Sequence, residues 1–200
     1  MAKTMSGQIP VKPSAEGLAA SAKAVAKERG LPPVHLWNPP FLGNIEIQIL
    51  RDGTWIHEGG EIKRPELVRL FSSILRKDGD SYFLVTPVEK VGITVEDAPF
   101  VAVDVDCTGT GENQILTFTT NVGDTVTAGP DAPIRLVQET AQGEPAPYVM
   151  VRAGLEARLD RKTFYRMVEL GTHHVVNDQD WYGVWSYGVF FPLILSQDLE

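Results

Sequence analysis

The chain has 200 residues, 43% of them apolar and 22% charged, which is enough for a packed core in one large or two small domains. A formal charge of −8 argues against a nucleic-acid polymer as partner, because phosphate-backbone binders gather Lys and Arg on one face, yet it leaves room for a small anion at a local basic cluster. One cysteine, Cys107, precludes an intramolecular disulfide, and no signal-peptide core or run of ~18 apolar residues is present, so the sequence reads as a cytoplasmic protein without a membrane span.

Residues 1–30 read as a flexible leader followed by an Ala-rich helix that Ser14 caps and Gly30 ends, with a thin apolar stripe of Leu18, Ala22 and Val25. Residues 31–40, L-P-P-V-H-L-W-N-P-P, are held extended by four prolines, and Trp37 is expected to anchor this strap on the body of the fold. Ile45, Ile47 and Ile49 alternate with Glu46 and Gln48 as a half-buried strand, and Arg51-Asp52-Gly53 turns it into a partner at 54–57. Pro65 suits a first helical turn, and Leu67, Leu70, Phe71, Ile74 and Leu75 recur at helical spacing. With Arg76 and Lys77 at the negative end of the dipole and Asp78-Gly79 as a stop, the spacing predicts a helix over 65–77. Strands at 81–86, 91–95 and 100–105 complete a first unit, residues 31–106.

The second unit, residues 107–200, opens on a Gly-rich loop. Strands are expected at 115–120, near Thr125, and at 134–138, 148–152 and 155–159, then a helix at 161–170 and two final strands carrying Trp181, Trp185, Tyr187, Phe190 and Phe191. Ile62, Arg64, Leu67, Leu70 and Phe71 match Leu159, Arg161, Phe164, Met167 and Val168. With one small insertion, Asp78, Asp80 and Tyr82 match Asp178, Asp180 and Tyr182. The fold class that follows is α+β: two related units, each a mostly antiparallel curved sheet packed with one helix.

Three blocks, L-P-P-V-H-L-W-N-P-P, W-I-H-E-G-G-E-I-K-R-P-E-L and L-V-T-P-V-E-K-V-G-I-T-V-E-D-A-P-F, carry a resemblance to domain-of-unknown-function family 1285 of bacteria, extending over about residues 31–195. That resemblance implies a duplicated α+β core and a C-terminal unit that is pleckstrin-homology-like. It also implies a ligand site between the units, a nucleotide-like ligand and a role in signal transduction. It brings no catalytic residues.

Candidate ligand-binding residues are those that stand beside apolar or turn positions. Arg64 with Lys90 could hold a phosphate or carboxylate, Glu89 or Asp97 could read a sugar hydroxyl, and Trp55, His57 and Tyr82 could form a stacking wall. Arg158, Arg161 and Tyr182 are their counterparts in the second unit. The structural alternative is that Arg64–Asp97 and Glu89–Lys90 are ion pairs and the aromatics are core. Asp104 to Gly109 imitates the start of an EF-hand loop, but Ile115 stands where the bidentate Glu is needed. Gly109-Thr110-Gly111 lacks the rest of a dinucleotide fingerprint, and His173-His174 lacks metal-ligand companions. No cofactor, metal or catalytic residue is therefore expected.

The leading reading is a cytoplasmic sensor that binds a small anionic, nucleotide-like ligand between the two units. The alternatives are an interaction scaffold with a protein partner and a hydrolase. A homodimer through an exposed edge strand is compatible with all three.

Overall fold

A computed structural model describes residues 13–25, 30–137 and 145–199. The leader through residue 12, the expected end of the first helix at 26–29 and part of the loop before residue 145 lie outside them.

Helix α1 (Ala15–Val25) starts where Ser14 Oγ accepts the N–H of Gly17, and it buries Ala15, Leu18 and Ala22. The strap follows, its single 3-10 turn at Val34–Leu36, with Val34 and Trp37 packed on the core. Strands β1 (Phe41–Ile49), β2 (Trp55–His57) and β3 (Gly60–Glu61) form an antiparallel meander in which Ile47 faces His57 and Ile49 faces Trp55. Helix α2 (Pro65–Ser73) crosses to a second meander, β4 (Leu75–Asp78), β5 (Ser81–Val85) and β6 (Lys90–Val95). The two meanders join by a parallel pair, β1 with β6, giving the strand order β3-β2-β1-β6-β5-β4.

Helix α2 is shorter than its apolar spacing predicts. The hydroxyls of Ser72 and Ser73 donate back to the carbonyls of Arg69 and Leu70, competing with the helical ladder, and Ile74 closes the last turn. Leu75 then pairs across from Leu84, and both side chains are fully buried, so sheet pairing overrides helical propensity from residue 75 onward. The Asp78-Gly79 stop is real but serves a hairpin, with Gly79 at φ 60°.

The second sheet repeats the plan. Strands β7 (Phe100–Thr108), β8 (Ile115–Thr120) and β9 (Thr125–Thr127) make one meander, and β10 (Ile134–Val137), β11 (Ala146–Arg152) and β12 (Leu155–Leu159) make another. The parallel pair β7 with β12 joins them in the order β9-β8-β7-β12-β11-β10. Adding six to every strand number of the first sheet gives the second. The stretch at 100–105, grouped by sequence with the first unit, thus hydrogen-bonds in the second sheet. The two units are similar, each a curved, mostly antiparallel sheet with one helix, but the repeat lies in the strand order: α2 stands between β3 and β4 whereas the helix over Arg161–Val168 follows β12, so the sequence matches of Ile62–Phe71 with Leu159–Val168 and of Tyr82 with Tyr182 do not join equivalent positions.

Helix α3 (Arg161–Val168) follows β12, its first turn capped by Asp160, whose carboxylate accepts the N–H of Thr163 at 2.7 Å. It leads to a separate sheet of three strands, β13 (Thr172–Val176), β14 (Gln179–Ser186) and β15 (Val189–Leu195). Strand β13 carries the His173-His174 pair and is absent from the sequence reading. One hydrophobic cluster runs through both units, from Ile49, Trp55 and Phe71 to Phe100, Phe118, Leu155 and Met167. No helix among the described residues is long and apolar enough to cross a membrane.

Candidate functional site

The segment between β6 and β7 is where the two units are tied by charge. Asp97 accepts hydrogen bonds from Tyr148 Oη at 2.6 Å and Arg158 Nη1 at 2.5 Å, and Arg51 Nε lies 3.6 Å away. Burial pushes its carboxyl up, but the bonds from Tyr148 and Arg158, with the charges of Arg158 and Arg51, outweigh it and hold the group below the ordinary carboxylate range. Beside it, Glu96 accepts from Gln48 Nε2 and from the backbone N–H of Arg51, both at 2.9 Å. Of the candidate residues, Asp97 and Arg158 therefore meet. Arg51 and Tyr148, which complete the cluster, stand in a turn and an apolar strand where nothing in the sequence marks them.

The other candidates are distributed elsewhere. Trp55 is 1% exposed and stacks on Phe71 with ring centroids 6.2 Å apart, a core position. His57 and Arg64 line a groove of about 780 Å³ between α1 and α2, floored by Ala19, Leu67 and Phe71. Tyr82 and Lys90 line a second groove on the first sheet, where Lys90 Nζ bonds Asp78 at 2.8 Å and sits 4.0 Å from the centre of the Phe83 ring. The backbone of Glu89 closes the β5–β6 turn through the Thr86 hydroxyl and N–H. Arg161 lies at the exposed start of α3 and bonds the Tyr165 hydroxyl, while Tyr182 donates to the carbonyl of Val168 at 2.9 Å. The ion pairs formed are thus Arg158–Asp97 and Lys90–Asp78, in place of the Arg64–Asp97 and Glu89–Lys90 pairs weighed from sequence.

The groove that combines both units with the strap lies elsewhere. It has a volume of about 690 Å³, with His35 and Trp37 on the strap, Arg76, Lys77 and Asp78 on β4, and Arg152 and Leu155 at the β11–β12 turn. Arg76 Nη1 donates to the carbonyls of Val34 (3.0 Å) and Trp37 (2.7 Å), pinning the strap, and Nη2 donates to Asp78 at 2.8 Å. Its Nε is buried and has no hydrogen-bond partner among the described residues. Asp78 is held below the usual carboxylate range chiefly by the Arg76 bond; burial opposes this, and the bond from Lys90 with the charges of Arg76 and Lys90 outweighs it. From the second unit, Arg152 donates to Asp124 at 2.5 Å and across the junction to the Ser72 carbonyl at 2.9 Å, its guanidinium 4.9 Å from the Phe100 ring centre. The 3.6-residue spacing assigned Arg76 and Lys77 to a helix end, which is why sequence reasoning passed over them.

Chemistry beyond binding finds one grouping to test. His173 Nδ1 lies 2.7 Å from Ser196 Oγ and 3.8 Å from Asp180 Oδ2. Both partners address the same ring nitrogen, whereas a relay from serine through histidine to a carboxylate needs one partner on each, so this exposed trio does not activate the serine. Among the described residues, no three His, Cys, Asp or Glu side chains converge to hold a metal ion. Cys107 is partly buried and its thiol is pushed up by that burial, away from the thiolate.

Comparison with known proteins places this architecture. The model of the N-terminal domain of DUF1285, a domain of unknown function, matches residues 32–98, and that of the C-terminal domain of DUF1285, a protein of unknown function, matches residues 99–193. The chain is similar to the crystal structure of a DUF1285 family protein from Silicibacter pomeroyi DSS-3, with 60% identity over 92% of this chain and 97% of that one and a TM-score of 0.83. A DUF1285 family protein from Shewanella baltica OS155 is 29% identical over 62% of this chain and 91% of that one, with a TM-score of 0.51. No curated protein matches the chain. Sharing both domains and more than half of its residues with a member of known structure, this chain belongs to the DUF1285 family.

Proposed function

We propose that the protein is a cytoplasmic sensor that binds a small anionic, nucleotide-like ligand in the groove between the strap, β4 and the β11–β12 turn. The observation that carries this reading is the convergence there of Arg76 and Lys77 from one unit and Arg152 from the other beside Trp37 and His35. Guanidinium groups favour planar anions, an indole face accepts a flat ring, and a volume of about 690 Å³ suits a ligand of nucleotide size. Arg64, His57, Tyr82 and Lys90 remain candidates for a wider ligand surface on the first unit. The single cysteine supports the cytoplasmic setting. In the second unit, two three-stranded meanders followed by a helix support its pleckstrin-homology likeness.

Because one hydrophobic cluster spans both units, hinge motion between them is disfavoured, and the responsive element is the strap. A ligand anion competes with Asp78 and the Val34 and Trp37 carbonyls for Arg76, so occupancy loosens residues 31–38 from β4. The test is a thermal-shift screen of the full chain against nucleoside mono-, di- and triphosphates and cyclic dinucleotides, since a native-state ligand at 100 times its Kd adds about 2.7 kcal/mol. A saturable rise lost in Lys77→Glu supports the site. No rise with any member of the panel, or a rise unchanged in Lys77→Glu, rejects it.

A further inference from the structure

The strand edges of the three sheets are not protected equally. Strand β3 has two residues and β9 three, β10 is four residues long with Arg135 on it, and β15 is interrupted by Pro192. Strand β4 carries Arg76, Lys77 and Asp78 and is covered by the strap. These are the usual devices that keep sheet edges from pairing with other chains. Strand β13 has none of them: its five residues, T-H-H-V-V, include no proline, Lys, Arg, Asp or Glu, and Val175 is 61% exposed. Among the described residues, β13 makes no backbone hydrogen bond outside its ladder with β14.

The register states which groups are open. The β13–β14 hairpin turns on two residues, Asn177 and Asp178, at φ 50° and 61°, so the flanking pair Val176 with Gln179 exchanges both hydrogen bonds. Alternation then directs the N–H and C=O of Val176, His174 and Thr172 toward β14, and those of His173 and Val175 outward. Two residues with a one-residue spacer form a self-complementary set. Set antiparallel to its own copy about a twofold axis through residue 174, His173 of each strand exchanges two bonds with Val175 of the other, four in all, and the two His174 residues stand opposite one another.

We infer that the edge of β13 is a homodimer interface, in which two copies of the chain pair antiparallel with His173 against Val175 and His174 against its symmetry mate. The sheet plan supports a second copy as occupant. Both other sheets consist of two three-stranded meanders joined edge to edge, six strands in all, whereas β13-β14-β15 is one such meander. Pairing across β13 makes it six-stranded as well. The join also extends an aromatic face, because His174 packs against Trp185 and Phe190 with ring centroids 4.9 Å apart in each case, and Trp185 lies 5.3 Å from Phe190. This interface is independent of the ligand groove and of its test.

The experiment is sedimentation velocity of the full chain over a wide concentration range. The expected species has twice the 22.0 kDa of one chain. Val175→Pro removes an N–H that points away from β14, so the hairpin keeps its ladder while the dimer loses two of its four bonds, and association weakens on the order of tenfold or more. His174→Glu and His174→Lys place like charges opposite each other and are each expected to be monomeric, whereas their mixture dimerises. A wild type that stays at the mass of one chain at every concentration overturns the proposal, as does a Val175→Pro variant that dimerises like the wild type. A mixture of folded His174→Glu and His174→Lys chains that remains monomeric overturns the register.

Discussion

Replacing Asp97 by Asn tests the charge that ties the two units. The Asp97 side chain is 12% exposed and that of Arg158 25%, so the pair is shielded but not dry. A hydrogen bond to a charged group contributes about 1.5–3 kcal/mol. Asn keeps a neutral acceptor for Tyr148, and Arg51, whose side chain is 54% exposed, contributes little. What is lost is the charge-assisted bond to Arg158, discounted for residual solvent access, or about 2 kcal/mol, equivalent to a fall in Tm of about 4–8 °C for a chain of this size. The pH dependence follows from the lowered carboxyl pKa. The native state releases this proton more readily than the unfolded chain, so the stabilisation is complete above the unfolded value of ~3.9 and is lost as pH falls through the native one. Urea unfolding of both proteins across neutral to acid pH reads the difference directly. The expected gap is about 2 kcal/mol at neutral pH and closes under acid conditions. A gap below about 0.5 kcal/mol at neutral pH, or one that acid leaves unchanged, would refute the assignment of Asp97 as the inter-unit tie.

Two further substitutions address packing. Thr163 on α3 is fully buried and its hydroxyl has no hydrogen-bond partner among the described residues, so Thr163→Val is expected to be neutral or to stabilise by up to about 1 kcal/mol in chemical denaturation. A loss of that size instead would reveal a partner for the hydroxyl. A Cβ at Gly183 would collide with the backbone carbonyl of Phe191 and with the Phe190 ring that lies over it, so Gly183→Ala is expected to destabilise by about 2–3 kcal/mol, read as a lowered urea midpoint.

The local elements were legible wherever one residue type does one job. Ser14 caps α1, Pro65 opens α2, and the Ile45-Ile47-Ile49 alternation is the buried face of β1. Failures occurred where long-range pairing decides the outcome. Leu75 continues a helical stripe by spacing, yet its place opposite Leu84 makes it a strand residue. The pairing of β1 with β6, and of β7 with β12, joins residues 46 to 57 apart in sequence, for which composition offers no signal. His173 is the exposed residue that the sequence suggests, but the packing of His174 was not legible, because its aromatic partners, Trp185 and Phe190, come from two later strands. The site divided the same way. Asp97 and Arg158 are brought together by the fold across 61 residues, while Arg64 and Lys90, closer in sequence, line separate grooves.

Each six-stranded sheet is closed by pairing one of its first-made strands with its last, and this bears on how the chain is born. When residue 98 has been synthesised, every strand of the first sheet exists, but Phe100, Phe118 and Leu155, which share its apolar cluster, do not. The nascent N-terminal half can therefore acquire its topology while still exposing the surface that the second half will cover. Neither half is a finished folding unit, and full native stability arrives late, when β12 docks beside β7 and seals a core belonging to both.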